Sequence, residues 1–140
     1  MLNKWQIIGN LGTEPDSRVL EDGTVVTNLS VATARYWTDA DGDKQSATEW
    51  IQVVTFGRLA ENCGKYLTTG RQIYVEGRYQ LDIHDRDDGT TGYYPKLIAH
   101  QVIFLGGNPE NRLFDEAANN PAAEPEREPR RKKATQKSRR

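Results

Sequence analysis

Residues 48–70 read TEWIQVVTFGRLAENCGKYLTTG, and one change of period inside this stretch decides the fold class. Trp50, Gln52, Val54 and Phe56 alternate with Ile51, Val53 and Thr55, the period-2 pattern of a strand whose successive side chains point to opposite faces. From Arg58 to Thr69 the period changes, with Leu59, Cys63, Tyr66 and Leu67 recurring at helical spacing and Gly70 standing where a helix C-cap belongs. A strand over Glu49–Phe56 running straight into one short helix is therefore expected.

Upstream, Val25–Arg35 (VVTNLSVATAR) alternates cleanly, with Val25, Thr27, Leu29, Val31 and Thr33 on one face and Val26, Asn28, Ser30, Ala32 and Ala34 on the other. Asp22-Gly23 is a hairpin turn signal that folds Val19-Leu20 back on this strand. An earlier strand holds Trp5, Ile7, Ile8 and Leu11 and ends at Gly12. A polar loop, Thr38–Ala47 (TDADGDKQSA), joins the second and third strands in a long hairpin. Downstream of the helix, strands over Gln72–Ile83 and Tyr93–Leu105 flank the acidic loop HDRDDGTTG. Three strands, a helix and two strands is the element order of the all-β, five-stranded OB-fold Greek-key barrel, with its helix between the third and fourth strands.

The 140 residues suit one core rather than two. Residues 1–107 are expected to form it, and 108–140 a disordered tail. Asn108–Pro129 is rich in Pro, Ala, Asn and Glu with only Leu113 and Phe114 as apolar anchors, and Arg130–Arg140 carries seven Lys or Arg and no acid. With 36% hydrophobic and 28% charged residues and a mean hydropathy of −0.79, the chain has no apolar run near the roughly 18 residues of a membrane span. Its start lacks the features of a secretory signal, so a cytoplasmic location is expected. The lone Cys63 excludes an internal disulfide and has no companion at metal-ligand spacing. Residues 1–105 carry 10 Lys+Arg against 14 Asp+Glu, and residues 106–140 carry 9 against 6. A mildly acidic body argues against simple polyanion attraction, so any nucleic-acid site on it has to rest on local patches and stacking.

Binding of single strands without regard to sequence needs aromatic faces for the bases and cations along the phosphates. Trp37 ends the second strand, Trp50 and Phe56 lie on one face of the third, and Tyr74 and Tyr79 lie on the fourth. A face with a ring at each end and Gln52 between resembles a platform, although large aromatics of a β-protein are also ordinary core residues. Arg35, Arg58, Arg71 and Arg78 sit at element ends, where they can bracket a strand laid over the sheet. Two decoys fail. Asp39, Asp41 and Asp43 resemble the opening of a calcium loop, but Lys44 and Trp50 stand where that loop needs Gly and Glu. His84 and His100 have neither a nucleophile nor a metal cluster, and no phosphate-cradling Gly-Lys-Ser/Thr motif occurs, so neither an enzyme nor a cofactor is expected.

The blocks IIGNLGTEPDSR (7–18), VVTNLSVAT (25–33), TEWIQVVTFGRLAENCGKYLTTG (48–70) and IYVEGR (73–78) closely resemble the bacterial single-stranded DNA-binding protein family, in its order and spacing over residues 2–105. The resemblance implies an OB barrel, typically a homotetramer with a dimer as the lesser alternative, that coats single-stranded DNA in replication, recombination and repair. It places such a protein at the nucleoid. Trp37, Trp50 and Phe56 match the family's stacking aromatics, and Lys4, Arg35 and Arg58 match or adjoin its phosphate-contacting positions. The departures are equally specific. His84, beside Asp82, Asp85, Asp87 and Asp88, stands in place of a fourth stacking Trp, Ile51-Gln52 replaces a His-Arg pair, and Thr68-Thr69 replaces basic residues. The acidic, Pro-Phe-tipped end that docks replication and repair proteins is replaced by QKSRR. Weaker and less salt-sensitive binding than is usual for the family follows. The rival reading is a replisome or replication-restart adaptor, an OB module devoted to protein contact with residual strand binding.

Overall fold

The computed structural model describes residues 1–106, in which six strands and one helix follow in the order β1 (Trp5–Leu11), β2 (Asp16–Val19), β3 (Val25–Thr38), β4 (Lys44–Phe56), α1 (Gly57–Tyr66), β5 (Gln72–Asp85) and β6 (Thr91–Leu105). The expected tail, with Leu113, Phe114 and the basic run Arg130–Arg140, lies outside the described residues.

Five strands close into a barrel, and β2 flanks it as a short hairpin partner of β3. β3 pairs with β4 without a break from Val26↔Phe56 to Thr38↔Lys44, β5 pairs antiparallel with both β1 and β6, and β1 meets β3 at Asn10↔Ala32 and Leu11↔Val31. The last seam is parallel: Val53↔Leu97 and Val54↔Ile98 join β4 to β6. This is the all-β OB architecture expected from the element order.

The core follows from parity. Leu29 and Val31 of β3, Val53 of β4 and Ile73 and Val75 of β5 point inward and are at most 1% exposed. On β6 the inward set changes phase, from Leu97 and Ala99 to Val102 and Phe104. The cause is a bulge, because Glu76 pairs with Gln101 while Gly77 pairs with Ala99, leaving His100 as the extra residue on β6. A Cβ on Gly77 would stand 2.0 Å from the Ile98 carbonyl oxygen, so the two backbones can meet there only at glycine.

The helix packs Ala60, Cys63 and the following Leu67 onto the barrel, and two buried threonines fix it. Thr27 Oγ1 donates to the Ala60 carbonyl at 2.7 Å, and Thr55 Oγ1 donates to the Thr27 carbonyl at 2.9 Å. Both buried hydroxyls are thereby satisfied. Burial pushes the Cys63 thiol up to about 12, which leaves it a small apolar filler and not a nucleophile. The helix ends at Tyr66 with the Leu67 N–H on the Cys63 carbonyl, four residues before the expected glycine cap. Gly70 instead donates its N–H to the Leu11 carbonyl at 2.8 Å and turns the chain into β5.

The polar stretch expected as a loop over Thr38–Ala47 is mostly strand. β3 runs to Thr38 and β4 starts at Lys44, so only residues 39–43 form the turn. Asp39 organises it: its Oδ1 accepts the Asp41 and Asp43 N–H groups at 3.0 and 2.9 Å, and Gln45 Nε2 donates to Oδ2 at 3.0 Å. At the other hairpin Asp88 Oδ1 accepts both the Thr90 N–H (2.9 Å) and its hydroxyl (2.6 Å). Both hairpins thus extend as two-stranded arms whose polarity reflects exposure on both faces and not irregular backbone.

Candidate nucleic-acid interface

Directly opposed residues of an antiparallel pair share a face, so the unbroken β3–β4 register puts the even-numbered residues of both strands on the side away from Leu29, Val31 and Val53, where Val26 and Val54 are covered and the rings are not. Ala32 lies beside Trp50, Ser30 beside Gln52, and Val26 beside Phe56. Trp50 is 61% exposed and Phe56 46% exposed, whereas Val53 and Thr55 between them are sealed in the barrel. Neither ring is core.

A groove of about 420 Å³ runs between this face and the β5–β6 arm, within the range of roughly 300–1,000 Å³ usual for ligand sites. Trp50 and Gln52 of β4 form one side, and Asp82 and His84 of β5 with Tyr94, Pro95 and Lys96 of β6 form the other. The parallel seam brings the two sides together by pairing Val53 with Leu97 and Val54 with Ile98, directly after the groove residues Trp50 and Gln52 of β4 and Tyr94, Pro95 and Lys96 of β6. The His84 and Tyr94 rings lie 5.8 Å apart, tilted by 44°. Lys96 Nζ is ion-paired with Asp82 Oδ2, and Gln80 Nε2 donates to Asp82 Oδ1 at 2.8 Å. The Gln80 and Lys96 hydrogen bonds hold the Asp82 carboxyl below the usual carboxylate range, so it stays ionised.

Gly12 seats the platform. A Cβ there would fall 2.1 Å from Cζ3 of the Trp50 indole, so the ring packs against backbone that only glycine leaves open.

The other sequence-derived candidates divide. Trp37 is 42% exposed, but its odd number puts it on the reverse face of the β3–β4 arm from Trp50, where the Arg35 guanidinium carbon stacks 4.7 Å from its ring centroid. Tyr36, 78% exposed, is the arm aromatic on the Trp50 face. Arg58 is exposed in the first turn of α1, two residues after Phe56. Arg78 shares a second recess with Lys4, Glu76 and His100. Tyr79 turns to the reverse face of the β5–β6 arm, 5.6 Å from Trp5. Arg71 Nε donates to the Leu105 carbonyl at 2.9 Å, tying the start of β5 to the end of β6, and does not line the groove.

Lys4 is engaged as well. Its ammonium lies 2.9 Å from Glu76 Oε1, and Glu76 also accepts from the Tyr74 hydroxyl (2.6 Å) and from Gln6 Nε2 (2.8 Å), with His100 Nε2 at 3.1 Å. These hydrogen bonds, that from Tyr74 foremost, hold the Glu76 carboxyl far below its ordinary value, and the same contact raises the Tyr74 phenol. Sequence reasoning missed Tyr36, Gly12, Tyr94 and Lys96 as site residues. Continuing the β3 alternation by one step past Ala34 reaches Tyr36, but nothing local announces the β6 side of the groove. Among the described residues no cluster of His, Cys, Asp or Glu could hold a metal ion, and no helix is long and apolar enough to cross a membrane.

A family model described as the single-strand binding protein family matches residues 2–105. This chain belongs to that family. It is 42% identical over 122 residues to single-stranded DNA-binding protein 1 of Xylella fastidiosa, covering 86% of this chain and 90% of that protein. It is 40% identical over 109 residues to the single-stranded DNA-binding protein of Xanthomonas axonopodis pv. citri, and that match spans 78% of this chain and about three fifths (61%) of the longer relative. Among solved structures it is similar to the Plasmodium falciparum SSB complex with ssDNA (TM-score 0.71, 29% identity, 76% of this chain and 97% of that one). A deletion mutant of the Thermus aquaticus single-stranded DNA binding protein gives a TM-score of 0.67 at 29% identity, covering 76% of this chain and 52% of that one.

Two outcomes follow from this geometry. Gly12→Ala should displace the Trp50 indole and shift its emission spectrum while the barrel stays folded by circular dichroism; an unaltered spectrum would refute the packing. A carboxylate with a depressed folded-state pKa contributes stability that is complete above its unfolded value, about 4.3 for Glu, and is lost as pH falls toward the folded one. The melting-temperature gap between the native protein and Glu76→Gln should therefore be widest near neutrality and close as pH is lowered below about 4. A gap that is constant with pH would contradict it.

Proposed function

We propose that this protein binds and coats single-stranded DNA without sequence preference, serving replication, recombination and repair, with no catalytic step and no cofactor. The observation that carries the reading is the exposure of the Trp50 and Phe56 rings on one outer barrel face, with a polar-aromatic groove beside them. Family membership and the similarity to a complex with ssDNA support it.

Bases stack on Trp50 and Phe56, with Tyr94, His84 and Tyr36 extending the aromatic track on the same side. Each stacked base contributes roughly 1–3 kcal/mol whatever its identity, because every base has a π-face. Arg58 and Arg78, near the Phe56 end, hold the backbone there. Trp37 with Arg35 takes a strand that crosses to the reverse side of the β3–β4 arm. Lys4 and Lys96, both engaged by carboxylates, are poor phosphate ligands until those contacts open. That engagement is also the one observation in favour of an adaptor whose strand binding is residual.

A homotetramer is the expected assembly. The reverse face of the β5–β6 arm supports self-association, because Tyr79, Leu81, Ile83 and Tyr93 there are each 40–63% exposed. Exposed apolar surface of that extent commonly marks an interaction site, and a two-stranded ribbon is marginal alone. Sedimentation equilibrium should give four chains per particle, and a monomer at micromolar concentration would refute the assembly.

Titrating oligothymidylate against tryptophan fluorescence tests the function. Strong quenching is expected, and Trp50→Ala should weaken binding about tenfold or more at an unchanged melting temperature. The plot of log affinity against log salt should be shallow, at about −0.7 per phosphate neutralised, with few phosphates counted. Absence of quenching would favour the adaptor.

A further inference from the structure

Lys96 is the only lysine or arginine among the residues that line the central groove, and it is already occupied. β5 and β6 pair Asp82 with Tyr94 and Gln80 with Lys96, so Asp82 and Lys96 stand two positions apart on one face of the arm. Lys96 Nζ reaches Asp82 Oδ2, and Gln80 anchors the other carboxylate oxygen at 2.8 Å. The Lys96 and Asp82 side chains keep 33% and 20% of their exposure, so the pair borders the groove and is not sealed beneath it. A carboxylate and a phosphodiester each present a pair of anionic oxygens to an ammonium. The Trp50 and Tyr94 rings stand in the same groove.

We propose that Asp82 is the affinity-limiting residue of the groove: its carboxylate fills the place of a backbone phosphate on Lys96, so an incoming strand must displace it or forgo that contact. The inference rests on strand binding at this groove. Its consequence is a division of labour, in which the rings hold bases while the cation beside them stays neutralised. A lysine that stays paired with a carboxylate neutralises no phosphate, so it releases none of the strand's condensed counterions and adds nothing to the salt dependence of binding. The strand then rests on stacking, which salt leaves nearly untouched, and is exchanged more readily than one clasped through every cation.

Asp82→Asn tests this, because asparagine keeps the size of the side chain and its bond to Gln80 while removing the charge. In the fluorescence titration with oligothymidylate, the variant should bind about threefold or more tighter at about 50 mM salt. Its salt slope should steepen by about 0.7, the value for one more phosphate contact. Adding Lys96→Gln to this variant should return both quantities to those of the native protein. A gain of affinity does not arise from misfolding, so a positive result stands on its own. Unchanged or weaker binding by Asp82→Asn overturns the proposal, and so does a gain that survives Lys96→Gln, since that would be a general field effect. Placing Trp50→Ala in each background separates the premises: if it leaves affinity unaltered, strand binding at this groove fails, whereas strong dependence on Trp50 without a gain from Asp82→Asn refutes only the role of Asp82.

Discussion

The parallel seam between β4 and β6 is the constraint on which the rest of the molecule depends. Only two residue pairs form it, Val53 with Leu97 and Val54 with Ile98, yet without them the five strands would be an open sheet with unpaired edges. Val53 and Leu97 are sealed inside the barrel, so the seam is held by core packing as well as by backbone hydrogen bonds. On the outer side, the same register sets the β4 ring face against the β5–β6 arm. Closure of the core and assembly of the groove are one event, and a slip of one residue in this seam would turn Trp50 and Phe56 inward.

Two local devices let the barrel carry such a face. The bulge at His100 changes the phase of β6, so that Val102 and Phe104 fill one half of the core while Leu97 and Ala99 fill the other. Without that change the Leu97 and Ala99 phase would continue to Gln101 and direct its amide into the core in place of Val102. Gly12 does the corresponding work outside, giving the Trp50 indole a flat backbone surface to lie on. A ring held in place against backbone loses less freedom when a base stacks on it than a ring free in solvent.

Electrostatics set the character of this family member. Its body is acidic on balance, and the cations Lys4 and Lys96 are each tied to a carboxylate, Glu76 and Asp82. Two cross-strand contacts thereby set the charge presented on the outer face, while the core beneath them is apolar.

The amino-acid sequence by itself determined the class of fold. The change of period at Phe56–Arg58, the alternation through Val25–Arg35 and the Asp-Gly turns are local signals, and each survived into β4, α1, β3 and the hairpins. The ring face of β4 was equally legible, because Trp50, Gln52 and Phe56 share a parity that no distant contact can change. Hairpin lengths were not legible, since polar residues on an arm exposed on both faces look like loop. Only the tertiary structure decided that Arg71 braces Leu105 and that Tyr94, His84, Asp82 and Lys96 complete the groove. Those outcomes depend on pairing between strands about 40 residues apart and on one bulge, and the pattern within a single strand carries no record of which neighbour it will meet.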